Sequence, residues 1–131
     1  MNPSPGNLLA LVMLGGALGA GARHLIGAWL LRPAQGGWPW GTFAVNLAGA
    51  FLAGFAFAWL EGRGPAATYW RAFLIVGVMG GMTTFSALML EGLLFARTDR
   101  PGMLLAYLAA SLAGGLVLVW GGALAGRALH W

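Results

Sequence analysis

The residues that could do chemistry in this chain stand out because nearly everything around them is apolar. The densest group is "GGMTTFS", residues 80–86, where two glycines, two threonines, a phenylalanine and a serine interrupt what would otherwise be a continuous greasy helix. In apolar surroundings of their own stand Arg23 with His24, Asn46, Glu91, and Tyr107 with Ser111. An ionisable group at the centre of a bilayer costs on the order of 2.5–3.5 kcal/mol by insertion scales, so each marks a functional site by default. Tyr107 and Ser111 lie four apart and share a helix face. Together with Thr83, Thr84 and Ser86 they would line a narrow polar strip, too thin for a sugar or a nucleotide and suited to a small ion that accepts hydrogen bonds. Catalysis is not on offer: there is no cysteine, no cluster at metal-ligand spacing and no nucleophile with a base, so the chain does not read as an enzyme.

Several of these residues carry two readings. Arg23 sits about two thirds along its apolar run, where a cation either snorkels to the headgroups or serves the ion path. Asn46, five residues into a span, is either glue between helices or a donor to a permeating anion. His24 reads as an interfacial residue.

The elements that must position these groups follow from composition. Of 131 residues, 60% are hydrophobic and 8% charged, against roughly 25% charged in an average soluble domain. All seven cationic side chains are arginines scattered singly, which excludes a nucleic-acid stripe despite the net charge of +4. Crossing a bilayer takes about 20 helical residues. Four runs meet that length, approximately Leu8 to Leu31, Gly41 to Leu60, Trp70 to Ala96 and Met103 to Gly126, all within one domain spanning residues 1–131. Tryptophans 29, 38, 40, 59, 70 and 131 fall near their ends, as interfacial rings prefer. The N-terminal run lacks a basic leader and exceeds signal-peptide length, so it is expected to stay as a span. The predicted fold is an all-α, four-helix membrane bundle in a cell membrane.

Arginine counts ordinarily set orientation. Here Arg63, Arg71 and Arg127 would lie on one side and Arg32, Arg97 and Arg100 on the other, which predicts insertion in both directions and pairing with an inverted copy. Small residues at fourfold spacing, among them Gly15, Gly16, Gly19 and Ala20, then Gly49, Ala50, Ala53 and Gly54, and later Gly114 and Gly115, favour close helix packing in lipid. In the third span Gly77, Gly80 and Gly81 precede hydroxyls able to bond their own backbone, a pattern that predicts an interrupted helix. Such interruptions expose carbonyls to cations and amides to anions. The competing reading is that these glycines simply admit a neighbouring helix.

"GGALGAGARH" in the first span, "GTFAVNLAGAFLAGF" in the second and "GVMGGMTTFSALMLE" in the third resemble, in order, the signature stretches of the Fluc/CrcB fluoride channels. The resemblance covers nearly the whole chain and weakens in the fourth span. It implies a dual-topology antiparallel homodimer that passively conducts fluoride out of the cytoplasm, conferring resistance, with a structural sodium ion at its centre. By matching position it implies that Asn46 is the pore amide, Phe85 a pore aromatic whose electropositive edge faces the anion, and Arg23 the vestibule cation. The carbonyls of Gly77 and Gly80 would hold sodium, with Thr83 and Thr84 beside it, while Tyr107 and Ser111 would belong to a polar track and Glu91 would lie near its end. Many relatives carry phenylalanine where this chain has Met82, so the resemblance implies a pore with one ring edge in place of two, packed at the other position by a polarizable thioether of similar length. Many carry tyrosine or tryptophan at His24, a change expected to bear on the interface only.

Fluoride is small and strongly hydrated. Moving even a carboxylate-sized ion into low dielectric costs ideally about 20 kcal/mol, so a fluoride path needs dense donors and a cation and should hold no repelling carboxylate; Glu91 strains that rule unless it sits at the mouth. A small multidrug antiporter of similar size would need a carboxylate deep in a span, whereas Glu61 and Glu91 lie near span ends and Arg23 would repel a cationic substrate. A non-transporting assembly subunit would explain the small-residue packing but not the hydroxyls at the interrupted helix.

Overall fold

The computed structural model describes residues 4–30 and 37–129, and every element among them is helical. Helix α1 runs Pro5–Leu30 and α2 Trp40–Trp59. The third span begins with α3 (Ala66–Trp70), widens into a π-helical segment (Arg71–Met79), tightens again as α4 (Gly80–Met82) and resumes as α5 (Phe85–Arg97). Helix α6 covers Pro101–Ala128. Four helical stretches, Pro5–Trp29, Trp40–Trp59, Ala66–Arg97 and Pro101–Ala128, are long and apolar enough to cross a membrane.

The helices extend beyond the apolar runs because their flanks contain good starting residues. Pro5 and Pro101 occupy first-turn positions, where a missing N–H costs nothing. Pro65 likewise sits just before α3, which therefore absorbs residues the sequence suggests as loop. Leu31, Arg32 and Trp131, which the sequence reading used for a span end, the charge count and an interfacial ring, lie outside the described residues.

Two seams hold the bundle together, and both are made where glycine removes a side chain. Between α1 and the third span, Gly77 packs on Gly15, and a Cβ added to Gly77 would lie 2.9 Å from the Gly15 Cα. A Cβ on Gly19 would strike the Val78 carbonyl, and one on Gly81 would lie 2.5 Å from the Gly16 carbonyl oxygen. Between α2 and α6, a Cβ on Gly54 would meet the Val119 carbonyl, and Cβ atoms on Gly122 and Gly126 would meet the carbonyls of Phe51 and Phe55. Such contact lets van der Waals packing substitute for the hydrophobic driving force that lipid removes. Gly122 and Gly126, four apart, carry the α6 side of this seam. Of the pair singled out from sequence, Gly114 meets only the Leu47 side chain and Gly115 nothing within 4 Å. Leu9, Leu14, Leu18, Leu105, Leu112, Leu116 and Val117 point outward, as side chains facing lipid should.

Candidate functional site

The polar residues converge where the third span leaves helical geometry. Thr83 and Thr84 are both extended, at φ −78°, ψ 151° and φ −147°, ψ 111°, and separate α4 from α5. In an unbroken helix the Thr84 N–H would donate to the Gly80 carbonyl. Instead it donates to Oδ1 of Asn46 at 2.7 Å, and Asn46 Nδ2 donates back to the Thr84 carbonyl at 3.1 Å. One amide from α2 thus satisfies both backbone groups of the residue at the interruption, groups that would otherwise cost several kcal/mol unpaired in lipid. Of its two amide hydrogens Asn46 uses one here, leaving one available for another acceptor.

The threonines divide the remaining work. Thr83 closes α4: its N–H and its Oγ1 both donate to the Met79 carbonyl, each at 2.9 Å. Thr84 opens α5 as its N-cap, accepting from the Ala87 N–H at 3.2 Å, with Ser86 Oγ 3.2 Å from its own hydroxyl. Thr84 is buried while Ser86 is exposed.

An open cavity of about 330 Å³ lies against this point, lined by Arg23, His24, Gly27 and Ala28 of α1, Gly41, Thr42 and Val45 of α2, and Thr84 and Ala87 of α5. Thr84, the N-cap, and Ala87 of the first turn bring the N-terminal end of α5 to its lining, the end that carries the helix's partial positive charge, and Arg23, whose buried Nε has no hydrogen-bond partner, lines it as well. Both features favour an anion. Among the lining residues there is no carboxylate.

Glu91 is found elsewhere. Thr42 Oγ1 donates to its Oε1 and the Tyr107 hydroxyl to its Oε2, each at 2.5 Å. Tyr107 is fully buried and its ring stands edge-on to Trp38 and Phe95, with centroids 5.4 and 5.9 Å away. The Tyr107 hydroxyl is therefore committed to Glu91, while Ser111 one turn later has a buried Oγ with no partner. Sequence reasoning passed over Thr42, although a signal existed: it lies four residues before Asn46 and shares its helix face.

Met82 and Phe85 are not brought together. Met82 is buried, its Cε 3.3 Å from where a Gly49 Cβ would lie, whereas Phe85 is 69% exposed. The two glycines assigned to a cation also separate. Gly77 belongs to the α1 seam and its carbonyl accepts the Gly80 N–H. Gly80 is exposed, nothing lies closer than 3.7 Å to where its Cβ would be, and its carbonyl is the one that loses the Thr84 N–H to Asn46. His24, expected to concern an interface, lines the Arg23 cavity. No group of three or more His, Cys, Asp or Glu gathers among the described residues.

Residues 10–123 match a family model described as "CrcB-like protein, Camphor Resistance (CrcB)". The protein named fluoride-specific ion channel FluC from Xanthomonas euvesicatoria pv. vesicatoria (strain 85-10) is 56% identical over 119 residues, covering 91% of this chain and 90% of its own length. A protein of the same name from Xylella fastidiosa (strain 9a5c) is 55% identical over 115 residues, covering 88% and 80%. A third, from Caulobacter vibrioides (strain NA1000 / CB15N), is 43% identical over 122 residues, covering 92% and 96%.

Proposed function

The chain belongs to the CrcB-like family, and from that premise we propose that it is a fluoride-specific channel that lets the ion leave the cytoplasm passively and so confers fluoride resistance. It is a multi-pass membrane protein and not an enzyme. The observation that carries the reading is the cavity at the interruption, where Arg23 and the positive end of α5 face one space beside Thr84. Arg23 draws the anion in, and the α5 first turn lowers its potential energy without a mobile counter-ion. The remaining Asn46 hydrogen, the Ser86 hydroxyl and the Ser111 hydroxyl supply donors along the way, and the exposed Phe85 presents a ring edge to the path. Met82, packed against Gly49, shapes the wall from behind. Tyr107 serves by holding Glu91, which keeps that carboxylate's oxygens turned to hydroxyls and away from the anion.

The same reading takes the functional unit to be a homodimer with an inverted copy, embedded in lipid. Its support is the even split of flanking arginines in the sequence and the exposure of Phe85 and Gly80. The structural sodium ion is assigned in this reading to the Gly80 carbonyl, the one that loses the Thr84 N–H to Asn46 at an exposed glycine; the engaged Gly77 carbonyl is the weaker ligand, and Thr83 and Thr84 hold the turn beside the site. Bound there, the ion would supply a fixed positive charge between two carbonyl-rich chain segments.

The test uses purified protein in liposomes loaded with fluoride or chloride, with a potassium ionophore present. Fluoride should be released and chloride retained; retention of both would overturn the channel reading. In the same preparation, sodium-free dialysis should reduce efflux and dimer retention together, with recovery on sodium repletion, and unchanged behaviour would remove sodium from the account. Gly102→Cys, at an exposed position of this cysteine-free chain, should label partly from each side of the membrane. Labelling from one side alone would exclude the inverted pair.

A further inference from the structure

A larger open groove, of about 550 Å³, lies toward the other end of the bundle from Arg23. It is lined by Ala53, Gly54 and Phe57 of α2, by Ile75 of the π-helical segment, and by a face of α6 that begins at Val119 and ends at Arg127. Helices α2 and α6 run parallel, since Gly122 meets Phe51 and Gly126 meets Phe55, so both end on the side where the third span begins. Among the residues of the lining Arg127 alone is charged, and it stands at one extremity of an otherwise apolar surface. Val119 and Arg127 are eight residues apart, about 12 Å of helix, close to one leaflet's share of a hydrocarbon core about 30 Å thick. Arg71 approaches the same place from the third span: its guanidinium carbon lies 5.3 Å from the centre of the Phe57 ring, and its Nε is buried without a hydrogen-bond partner.

We propose that this groove holds an anionic phospholipid of the surrounding bilayer, its acyl chain along the apolar lining and its phosphate against Arg127 and Arg71. An apolar slot one leaflet long with cations at one end is complementary to a molecule that joins a hydrocarbon tail to an anionic head. Both arginines are charged at every physiological pH, and a phosphate accepts charge-assisted bonds from two guanidinium groups. The remaining charges at this end, among the described residues, are Arg63, whose Nε donates to the Trp59 carbonyl, and Glu61, which shares a shallower recess with Arg127. Three arginines against one carboxylate leave the end cationic. A second, inverted copy is poorly matched to it, because the end that such a copy would bring alongside carries Arg97 and Arg100 against Asp99 alone. A neutral lipid would fill the slot but gain less from the arginines. The inference concerns a surface remote from the Arg23 cavity and does not rest on the channel reading.

The test reconstitutes the full chain with equal amounts of phosphatidylglycerol and phosphatidylcholine of identical acyl chains. The lipid retained through gel filtration in mild detergent is then identified by native mass spectrometry, with no fluoride present. The wild type should retain phosphatidylglycerol in preference, and Arg127→Gln and Arg71→Gln should each cut that preference about fivefold, as expected for one cation beside an anionic headgroup. Arg127→Lys, which restores the charge, should keep most of it. Arg97→Gln removes an exposed arginine from the opposite end and should leave it unchanged. Ala53→Phe, which fills the groove and spares the arginines, should lower retention while the protein elutes as the wild type does. Equal retention of the two lipids by the wild type would overturn the proposal. So would an equal loss in Arg97→Gln and Arg127→Gln, which would mark a diffuse effect of net charge. If the wild type retains neither lipid and Ala53→Phe breaks a dimer into monomers, the occupant is a second copy and the lipid site is excluded.

Discussion

The α2–α6 seam and the interruption of the third span are both places where glycine lies close to another chain segment, yet they are built by opposite means. In the seam, Gly54, Gly122 and Gly126 face the carbonyls of Val119, Phe51 and Phe55 and no polar side chain takes part. Both partners there are continuous helix, so close approach is what these glycines contribute. At the interruption, Asn46, Thr83 and Thr84 attend to backbone groups that have lost their helical partners. A glycine alone does not say which kind of place it belongs to; the hydroxyls and amides beside it do. Gly77 and Gly80, three residues apart, fall on opposite sides of that division: the first is seam, the second is interruption.

The largest effect expected from breaking the comparison lies in the seam. Gly122→Leu drives a side chain into the Phe51 carbonyl, which is backbone and cannot step aside. Overpacking of this kind costs about 1–3 kcal/mol or more, and because the whole α2–α6 contact must open, loss of a monodisperse species in detergent is expected. Gly121→Leu, one residue away with nothing within 4 Å of its Cβ, is the control and should elute as the wild type does. If both variants behave alike, close approach is not what holds α6. Gly77→Ala against Gly80→Ala applies the same contrast inside the third span, since only the first meets the Gly15 backbone. A thermal melt should fall for Gly77→Ala and stay unchanged for Gly80→Ala.

Next in size is Asn46→Leu. It keeps much of the side-chain volume and leaves the Thr84 N–H and carbonyl unpaired, at about 1–3 kcal/mol for each buried group. Fluoride efflux should drop at least tenfold, with a measurable loss of thermal stability beside it. This refines the reading of Asn46 as either glue or donor, because the structure gives it the first task without exhausting its hydrogens. A variant that melts lower but transports normally would assign it to glue alone.

Much of this was legible in sequence, and the reason is the solvent. Lipid tolerates few polar groups, so the four spans and the unusual residues Arg23, Asn46, Thr83, Thr84, Tyr107 and Ser111 announce themselves against an apolar background. What stayed hidden depends on pairing between distant segments. Thr42 and Glu91 are 49 residues apart and Tyr107 a further 16 from Glu91, and no local spacing predicts that three helices bring them together. The exposure of Phe85 and the burial of Met82, three residues apart in "MTTF", follow from the two extended threonines between them: regular helical spacing would place i and i+3 on one face, and the interruption rotates them apart. The π-helical widening of Arg71–Met79 has no marker in the composition of that segment.

The smallest effect should come from Thr83→Val, and it separates the two threonines. Valine matches threonine in shape, so the methyl that sits against Gly49 is kept. The hydroxyl lost is one of two donors to the Met79 carbonyl, and the other, the Thr83 N–H at 2.9 Å, remains. No group is left orphaned, so the cost should be near the lower end of an ordinary net hydrogen bond, about 0.5 kcal/mol. Thr84→Val removes instead the cap of α5, for which about 1 kcal/mol is typical, and takes away the Ser86 contact at the edge of the Arg23 cavity. Thr83→Val should therefore melt within a degree or two of wild type and carry normal fluoride efflux, while Thr84→Val shows a lower melt and slower efflux. If Thr83→Val instead loses transport at unchanged stability, its hydroxyl turns from Met79 to the anion during passage, and the interruption would be part of the ion path along both threonines.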